Sequence, residues 1–167
     1  MRGMNDTTLA ITGEARRLFL EYLDKIERSA GALSAEQIWW RPNAACNSVG
    51  NLLLHLAGNL SQWVLAGLGG RPYERHRPEE FAAAGGQDGA ALLARLRGVV
   101  EACCGVVQAL TPEDLQRTLV IQGTTGSGFA ALLHTVEHMS YHTGQIVHIT
   151  KELLGEQGGI EFYPHLK

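Results

Sequence analysis

Charged residues are scarce in this sequence, and neither sign dominates. Only 19% of the 167 residues are charged, and 14 basic residues against 17 acidic ones give a formal net charge of −3. The basic residues are scattered along the chain, which argues against a dedicated nucleic-acid-binding protein. No apolar run approaches the roughly 18 residues that a membrane span needs, and the first residues lack the order of a signal peptide. We therefore expect a cytoplasmic protein without nucleic-acid or membrane partners.

Cysteine is sparse as well. Cys46, Cys103 and Cys104 are an odd number and lack C-x-x-C spacing, which disfavours both a disulfide framework and a zinc finger. We expect reduced, structural thiols. A chain of this length buries roughly 70% of its unfolded surface and can hold a core without disulfides. The sequence therefore predicts a single domain over residues 1–167.

Apolar residues recur at three- and four-residue steps in four long segments, as in amphipathic helices. The predicted helices lie at about 7–30, 47–68, 88–110 and 127–154. Shorter stretches predict a capped turn at 33–42, a helical turn at 111–115 and an extended segment at 118–121. The connection at 71–87 is rich in charge, proline and glycine and is long enough to form a lid or to cross between non-adjacent helices. This pattern predicts an all-α four-helix bundle.

The second predicted helix is unusual because no charged residue occurs between Pro42 and Gly70. A helix without charge on any face is usually buried on most faces. The side opposite part of its apolar stripe carries small or uncharged polar residues, namely Ser48, Asn51, His55, Gly58, Asn59 and Gln62. Open solvent would favour Lys and Glu there, so this face suggests a lined interior cavity.

Histidine is what the sequence has in quantity, with seven in a lightly charged chain. His134, His138 and His142 follow one another at four-residue steps on the fourth predicted helix. Residues four apart differ by only about 40° around a helix, so two neighbouring imidazoles can point at one ion. The apolar stripe of this helix places His138 and His142 at its inner edge and His134 further out. We predict His138 and His142 as metal ligands and His134 as a residue at the pocket edge.

A third ligand has to come from another element, because catalytic sites of this kind use three protein ligands plus water. His55 is the candidate, being the only histidine of the uncharged helix. Asn59 lies one turn after His55, and Gln145 lies one turn after His142. Each could orient its histidine through a hydrogen bond. A satisfied interfacial histidine is the alternative interpretation of His55.

Two further histidine patterns are given less weight. His134 to His138 also match the inverted zincin pattern H-x-x-E-H, but Glu137 faces away from the inner edge and no second acidic helix follows. The remaining histidines, His76, His148 and His165, are expected to be solvated or outside the site.

Two segments resemble the DinB-like (DinB/YfiT-like) superfamily of metal-dependent four-helix-bundle proteins. They are residues 48–59, SVGNLLLHLAGN, and residues 132–146, LLHTVEHMSYHTGQI. The most specific element is the H-x-x-x-H-x-G-Q string at 138–145, coupled to a single histidine in the second helix. The resemblance implies a bundle with crossed up-down-down-up connectivity that is often dimeric. It also implies Zn²⁺ or Ni²⁺ held in an open site by His55, His138 and His142.

The resemblance further implies a thiol-dependent transferase or isomerase, since family members of known chemistry use low-molecular-weight thiols. In this hypothesis a metal-bound thiolate attacks a small electrophile. The surrounding pocket would include Asn51, Asn59, Gln62, His134, Tyr141 and Gln145. The alternatives are a metal-dependent hydrolase, a non-catalytic metal-binding or stress-response protein, and a plain helical bundle whose role is dimerisation. The sequence identifies no catalytic residue beyond the ligands, nor the substrate.

Overall fold

A computed structural model describes residues 6–166, and four long helices dominate it. These are α1 (Asp6–Ala30), α3 (Val49–Leu60), α5 (Gly89–Ala109) and α7 (Gly128–Leu154). The short helices are α2 (Ala35–Trp39), α4 (Arg77–Ala82) and α6 (Pro112–Gln116), and 3-10 turns follow at Gly155–Gly158 and Pro164–Leu166. Strands β1 (Thr118–Ile121) and β2 (Thr124–Ser127) form an antiparallel hairpin before α7. No helix in the described range combines the length and apolar character needed to cross a bilayer.

Helix ends follow the capping residues that the sequence contains. Ser34, Ser48 and Thr111 each accept a hydrogen bond from the backbone N–H three residues later, and each forms a reciprocal capping box. Such caps satisfy N–H groups that have no partner within the helix. Gly155 ends α7 with a φ of 58°, a conformation that favours glycine. The predicted helix boundaries at these positions are therefore confirmed.

The order of the helices is that of a crossed bundle. Both α1 and α3 pack against α5 and α7, so α1 and α3 lie on a diagonal. Helix α1 runs parallel to α7, because residues 10–18 and 129–136 line the same groove near the starts of both helices. Helix α3 is antiparallel to α7, because His55 contacts His138 while Trp63, further along, contacts His134.

Helix α5 is antiparallel to α1. Arg97 forms an ion pair with Glu27 at 2.8 Å, and Cys104, further along α5, interacts with Arg16, which is earlier in α1. The directions of α1, α3, α5 and α7 are therefore up, down, down and up. This confirms the all-α bundle and the crossed connectivity predicted from the sequence.

Helix α3 is the centre of the core, since every residue from Val49 to Leu60 is buried. The uncharged character of this stretch is explained by that burial. The interpretation of its polar face as a cavity wall is wrong, because Arg75, Glu80 and Phe81 from the following connection pack against His55 there. The predicted lid or crossing loop thus contains α4 and fills the space.

The second half of the predicted second helix is a π-helix, Ser61–Leu68. Its wider turns are visible in the hydrogen bond from the Gly69 N–H to the Val64 carbonyl at 2.8 Å. Segments of this type often occur near functional sites. Here the segment carries Trp63, whose ring lies 4.2 Å from that of His134.

Candidate metal centre

The structure brings together His55 from α3 with His138 and His142 from α7. One ring nitrogen of each histidine lies within 4.8 Å of the others, and the Nε2 atoms of His55 and His138 are 3.1 Å apart. His55 is 4% exposed and His142 is 9% exposed, while His138 is half-buried. Three imidazoles from two antiparallel helices therefore converge on one point inside the bundle.

Burial favours the neutral form of the two imidazoles on α7. Removal from water, followed by the nearby His142 and His55, lowers the pKa of His138 to about 3. Burial likewise lowers the pKa of His142, although its hydrogen bond with Gln145 opposes this. A neutral imidazole carries a lone pair, which is the form that binds a metal ion. His138 and His142 are thus in their metal-binding protonation state at neutral pH.

The donor set fits a divalent transition-metal ion. Imidazole suits Zn²⁺ and Ni²⁺, and Zn–N bonds of 2.0–2.1 Å in a tetrahedral site place neighbouring nitrogens about 3.3 Å apart. The 3.1 Å between the Nε2 atoms of His55 and His138 is close to that spacing. The three-histidine group could therefore hold a metal ion. The other ring nitrogen of His138, the buried Nδ1, has no hydrogen-bond partner.

His142 is oriented within its own helix. Its Nδ1 lies 2.7 Å from Oε1 of Gln145, three residues later. Because an amide oxygen can only accept, Nδ1 carries the proton and Nε2 is left with the lone pair. The orienting role that the sequence predicts for Gln145 thus has its hydrogen bond in the structure.

His55 is oriented from outside its helix, by residues that the sequence analysis missed. Its Nδ1 lies 3.0 Å from Oε2 of Glu80, and Arg75 donates to both carboxylate oxygens of Glu80 at 2.7 Å. The side chains of Arg75 and Glu80 are only 3% and 11% exposed. Burial alone would raise the pKa of Glu80, but the hydrogen bonds from His55 and Arg75 outweigh it and hold that pKa below its ordinary value.

A signal for this pair was present in the sequence. The most charged connection, 71–87, directly follows the uncharged interval 42–70. A buried polar face needs hydrogen-bond partners, and the adjacent charged segment was the nearest source of them. Periodicity could not identify which of its charges turn inward, because α4 is only six residues long.

The remaining predicted pocket residues lie around the cluster in different roles. The His134 ring packs against that of Trp63 at a tilt of 46° and lies 5.4 Å from the ring of His138. Tyr141 is 60% exposed and meets His142 edge to face at 5.1 Å. These two residues lie at the edge of the site, and burial lowers the pKa of His134.

Three amide residues of α3 and its continuation complete that set. Gln62 accepts a hydrogen bond from Arg75 at 3.1 Å. Asn51 donates to the carbonyls of Glu80 and Ala83 at 2.9 and 2.8 Å, so it anchors α4 and does not join the histidines. Asn59 is buried and its Oδ1 has no hydrogen-bond partner, so the predicted bond from Asn59 to His55 is absent.

The other candidates from the sequence lie outside the cluster. Cys103 is buried and its Sγ donates to the Leu60 carbonyl at 3.7 Å, and burial raises the pKa of its thiol. All three cysteines are free thiols. Glu137 is exposed, as expected from its helical position. His148 lines a separate cleft with Cys46.

An apolar cleft of about 170 Å³ adjoins the site on its His134 side. Its walls come from the π-helix, the hairpin and the first turns of α7, and include Trp63, Ile121, Ala131 and His134. Trp63 also donates to Oε1 of Gln122 in the hairpin turn at 3.2 Å. The hairpin thus closes one side of a small apolar space beside the histidines.

Two solved structures share this fold. A DinB-like protein from Bacillus cereus is 16% identical, with a TM-score of 0.64 over 81% of this chain and 90% of the other. A DinB-like protein from Bacillus subtilis is 19% identical, with a TM-score of 0.64 over 84% of this chain and 92% of the other. Both comparisons support the DinB-like resemblance seen in the sequence.

Sequence comparison places the chain in a family defined without an activity. No curated protein matches the chain significantly. The family model described as "Protein of unknown function (DUF1572)" matches residues 8–159. The chain therefore belongs to the DUF1572 family and has the fold of DinB-like proteins.

Proposed function

We propose that His55, His138 and His142 bind one divalent ion, Zn²⁺ or Ni²⁺, and that the site is enzymatic. The observation that carries the proposal is the convergence of three imidazole nitrogens within 4.8 Å of one another. Glu80 and Gln145 engage the Nδ1 atoms of His55 and His142, which leaves the other nitrogen of each ring for an ion.

The number of donors supports an open site. Among residues 6–166 the group has three members, and structural zinc sites normally have four protein ligands. A bound ion would act as a Lewis acid that favours the deprotonated form of a thiol or a water molecule at neutral pH. The chain's own contribution is to hold His138 and His142 neutral, to orient His55 and His142, and to keep the site largely dry.

The cleft beside the site supports chemistry on a small molecule. Its apolar walls and volume of about 170 Å³ suit a compact apolar group of about the size of a benzene ring. We propose a thiol-dependent transfer or isomerisation in which a low-molecular-weight thiol is the nucleophile and the cleft takes the electrophile. A hydrolase is the nearest alternative, but the carboxylate of Glu80 is already engaged by His55 and Arg75, which leaves no obvious general base.

The other alternative is a non-catalytic metal-binding or stress-response protein. In that case the ion would only tie α3 to α7. Such a role needs no vacant coordination position and no adjoining cleft. The arrangement of three donors beside a cleft therefore favours the enzymatic proposal.

The homodimer implied by the family resemblance remains a prediction. An apolar groove runs between α1 and α7, and exposed Leu133 and Phe129 contribute to it. A second copy packing on this groove would cover those side chains. Sedimentation equilibrium with a Leu133→Glu variant tests this: the wild type should be dimeric and the variant monomeric.

Access of an outside ligand to the ion tests the enzymatic proposal. The protein is loaded with Co²⁺, whose visible absorption reports its coordination shell, and is titrated with imidazole and with a small thiol. We expect spectral changes that saturate, as an added ligand enters the shell. An unchanged spectrum would indicate a closed shell and would support the non-catalytic alternative. Co²⁺-loaded His134→Ala serves as a control in which the three ligands are intact.

A further inference from the structure

We infer that Glu80 is a positioning residue that fixes the ring of His55 for ion binding, and that Arg75 and Gly58 hold Glu80 in place for this task. The inference rests on the proposed function, since it concerns the affinity of the same site. It gives a role to Arg75 and Glu80, which lie in the connection after α3, and to Gly58 within α3. None of the similar proteins suggests such a role.

The contact between Glu80 and His55 determines which ring nitrogen is free. Oε2 of Glu80 accepts a hydrogen bond from Nδ1 of His55 at 3.0 Å. Nη2 of Arg75 also lies 3.1 Å from Nδ1, but this Nη2 donates to Oε2 of Glu80 at the shorter distance of 2.7 Å. Because the carboxylate can only accept, the proton is assigned to Nδ1, and Nε2 keeps its lone pair 3.1 Å from Nε2 of His138. Carboxylates that bind the outer nitrogen of a ligand histidine fix its tautomer and increase its basicity.

Arg75 leaves Glu80 a single orientation. Its Nε and Nη2 donate to the two carboxylate oxygens in a bidentate pair. The guanidinium is itself held by Oε1 of Gln62 at 3.1 Å and by the His55 carbonyl at 3.4 Å. Such planar pairs restrict geometry more than a single hydrogen bond does. Oε2 of Glu80 is consequently directed at His55 and not at solvent.

The backbone of Glu80 is anchored as well. Asn51 donates to the Glu80 carbonyl at 2.9 Å and to the Ala83 carbonyl at 2.8 Å. Asn51 is completely buried and also accepts from the Ser48 N–H that begins α3. Helix α4 is thus fixed to the start of the same helix that carries His55.

Gly58 provides the space for the carboxylate. A Cβ atom at this position would collide with Oε1 of Glu80 and would lie 3.0 Å from Nε of Arg75. Within α3, glycine is less favourable than alanine by roughly 1 kcal/mol, so its presence there calls for a packing reason. The approach of Glu80 is that reason.

Gly58→Ala tests the inference without altering any of the hydrogen-bonding side chains. The added methyl group displaces the carboxylate of Glu80 from His55, while alanine favours the helix. The matched control is Gly98→Ala on α5, where an added Cβ meets nothing within 4 Å. Glu80→Ala is the direct variant, and its control is Glu79→Ala, the exposed neighbour on α4.

The first measurement is the dissociation constant for Zn²⁺ alone, determined by competition with a chromophoric chelator at constant pH. We expect Gly58→Ala and Glu80→Ala to bind Zn²⁺ about 10- to 100-fold more weakly than the wild type. Both controls should bind as the wild type does. If the wild type binds Zn²⁺ and the two variants match it, this inference is overturned while the proposed function stands. If the wild type itself does not bind, the proposed function fails, and this inference fails with it.

The second measurement separates positioning from a merely structural role. Nitrogen NMR of the histidine rings in the zinc-free protein reports the tautomer of His55. We expect the Nδ1–H tautomer in the wild type and in Gly98→Ala, and a mixture of tautomers in Gly58→Ala. A wild-type-like tautomer in Gly58→Ala would contradict the inference, even if the variant were less stable.

Discussion

The two sides of the histidine cluster are supported in different ways. On α7, His142 is oriented by Gln145, three residues away on the same helix. On α3, His55 is oriented by Glu80, which is 25 residues away and reaches it only because α4 folds back onto the bundle. The α7 support is local and neutral, whereas the α3 support is remote and charged.

This difference determines which side is vulnerable. The contact on α7 exists wherever the helix exists, since residues three apart lie on one face. The contact on α3 depends on a buried ion pair, on the anchoring of α4 by Asn51 and on the absence of a side chain at Gly58. We expect mutations on the α3 side to affect both stability and ion binding, and mutations of the α7 support to affect binding alone.

The largest effect is expected from the ligands themselves. Replacing His138 or His142 by Ala should abolish the increase in melting temperature that Zn²⁺ gives the wild type, because two imidazoles hold a divalent ion poorly. His134→Ala should retain most of it, since His134 packs on Trp63 outside the cluster. Thermal unfolding with and without Zn²⁺ provides the measurement. Retention in His138→Ala together with loss in His134→Ala would refute the ligand assignment.

The ion pair on the α3 side should give the next largest effect, this time on stability. Glu80→Ala leaves the buried Arg75 guanidinium unpaired, which typically costs about 3–5 kcal/mol. Replacing both residues by Met should cost less than Glu80→Ala alone. Urea unfolding of the zinc-free proteins measures these free energies. Glu21→Ala, which removes two partly exposed ion pairs, with Arg17 and with Lys25, is the control and should cost less than about 1 kcal/mol.

Equal costs for Glu80→Ala and Glu21→Ala would contradict the comparison. They would mean that the buried pair contributes no more than a surface pair.

The burial of His138 should make the stability of the zinc-free protein sensitive to acid. Because the pKa of His138 is about 3 in the folded protein and its ordinary value is 6.5, the unfolded chain binds the proton more readily between these values. The free energy of unfolding should therefore fall as the pH is lowered below about 6.5, and should depend less on this group above it. Urea unfolding at about pH 7 and about pH 5 measures the change. His138→Leu should flatten this dependence, and a steeper dependence in the variant would contradict the assignment.

The smallest effect is expected on the α7 side. Gln145→Ala removes the hydrogen bond to Nδ1 of His142 and should weaken Zn²⁺ binding about 10-fold. Its effect on the unfolding free energy should be under about 1 kcal/mol, because no charge is left unpaired. Chelator competition and urea unfolding of the same preparation give both quantities. A loss of stability as large as that of Glu80→Ala would remove the distinction between the two sides.

The same distinction explains what the sequence could predict. The bundle, the helix ends and the pairing of His138 with His142 follow from helical periodicity and from caps such as Ser48, which are local properties. His55 is assigned from its position in the uncharged helix and from the family resemblance. Gln145 was predictable for the same reason. In contrast, the burial of Arg75 and Glu80 depends on how the connection 71–87, which lacks helical periodicity, packs against α3. Local sequence patterns do not contain that information. For this reason the sequence suggests a cavity beside the polar face of α3, although the connection after α3 covers that face.

Metal analysis of protein purified without a histidine tag tests the central claim most directly. Tag-free protein is saturated with Zn²⁺ or Ni²⁺, freed of excess ion by gel filtration and analysed by inductively coupled plasma mass spectrometry. The account predicts one ion per chain in the wild type and none in a His55→Ala, His138→Ala, His142→Ala triple variant. A wild type that retains no ion, or a triple variant that retains as much, would contradict it.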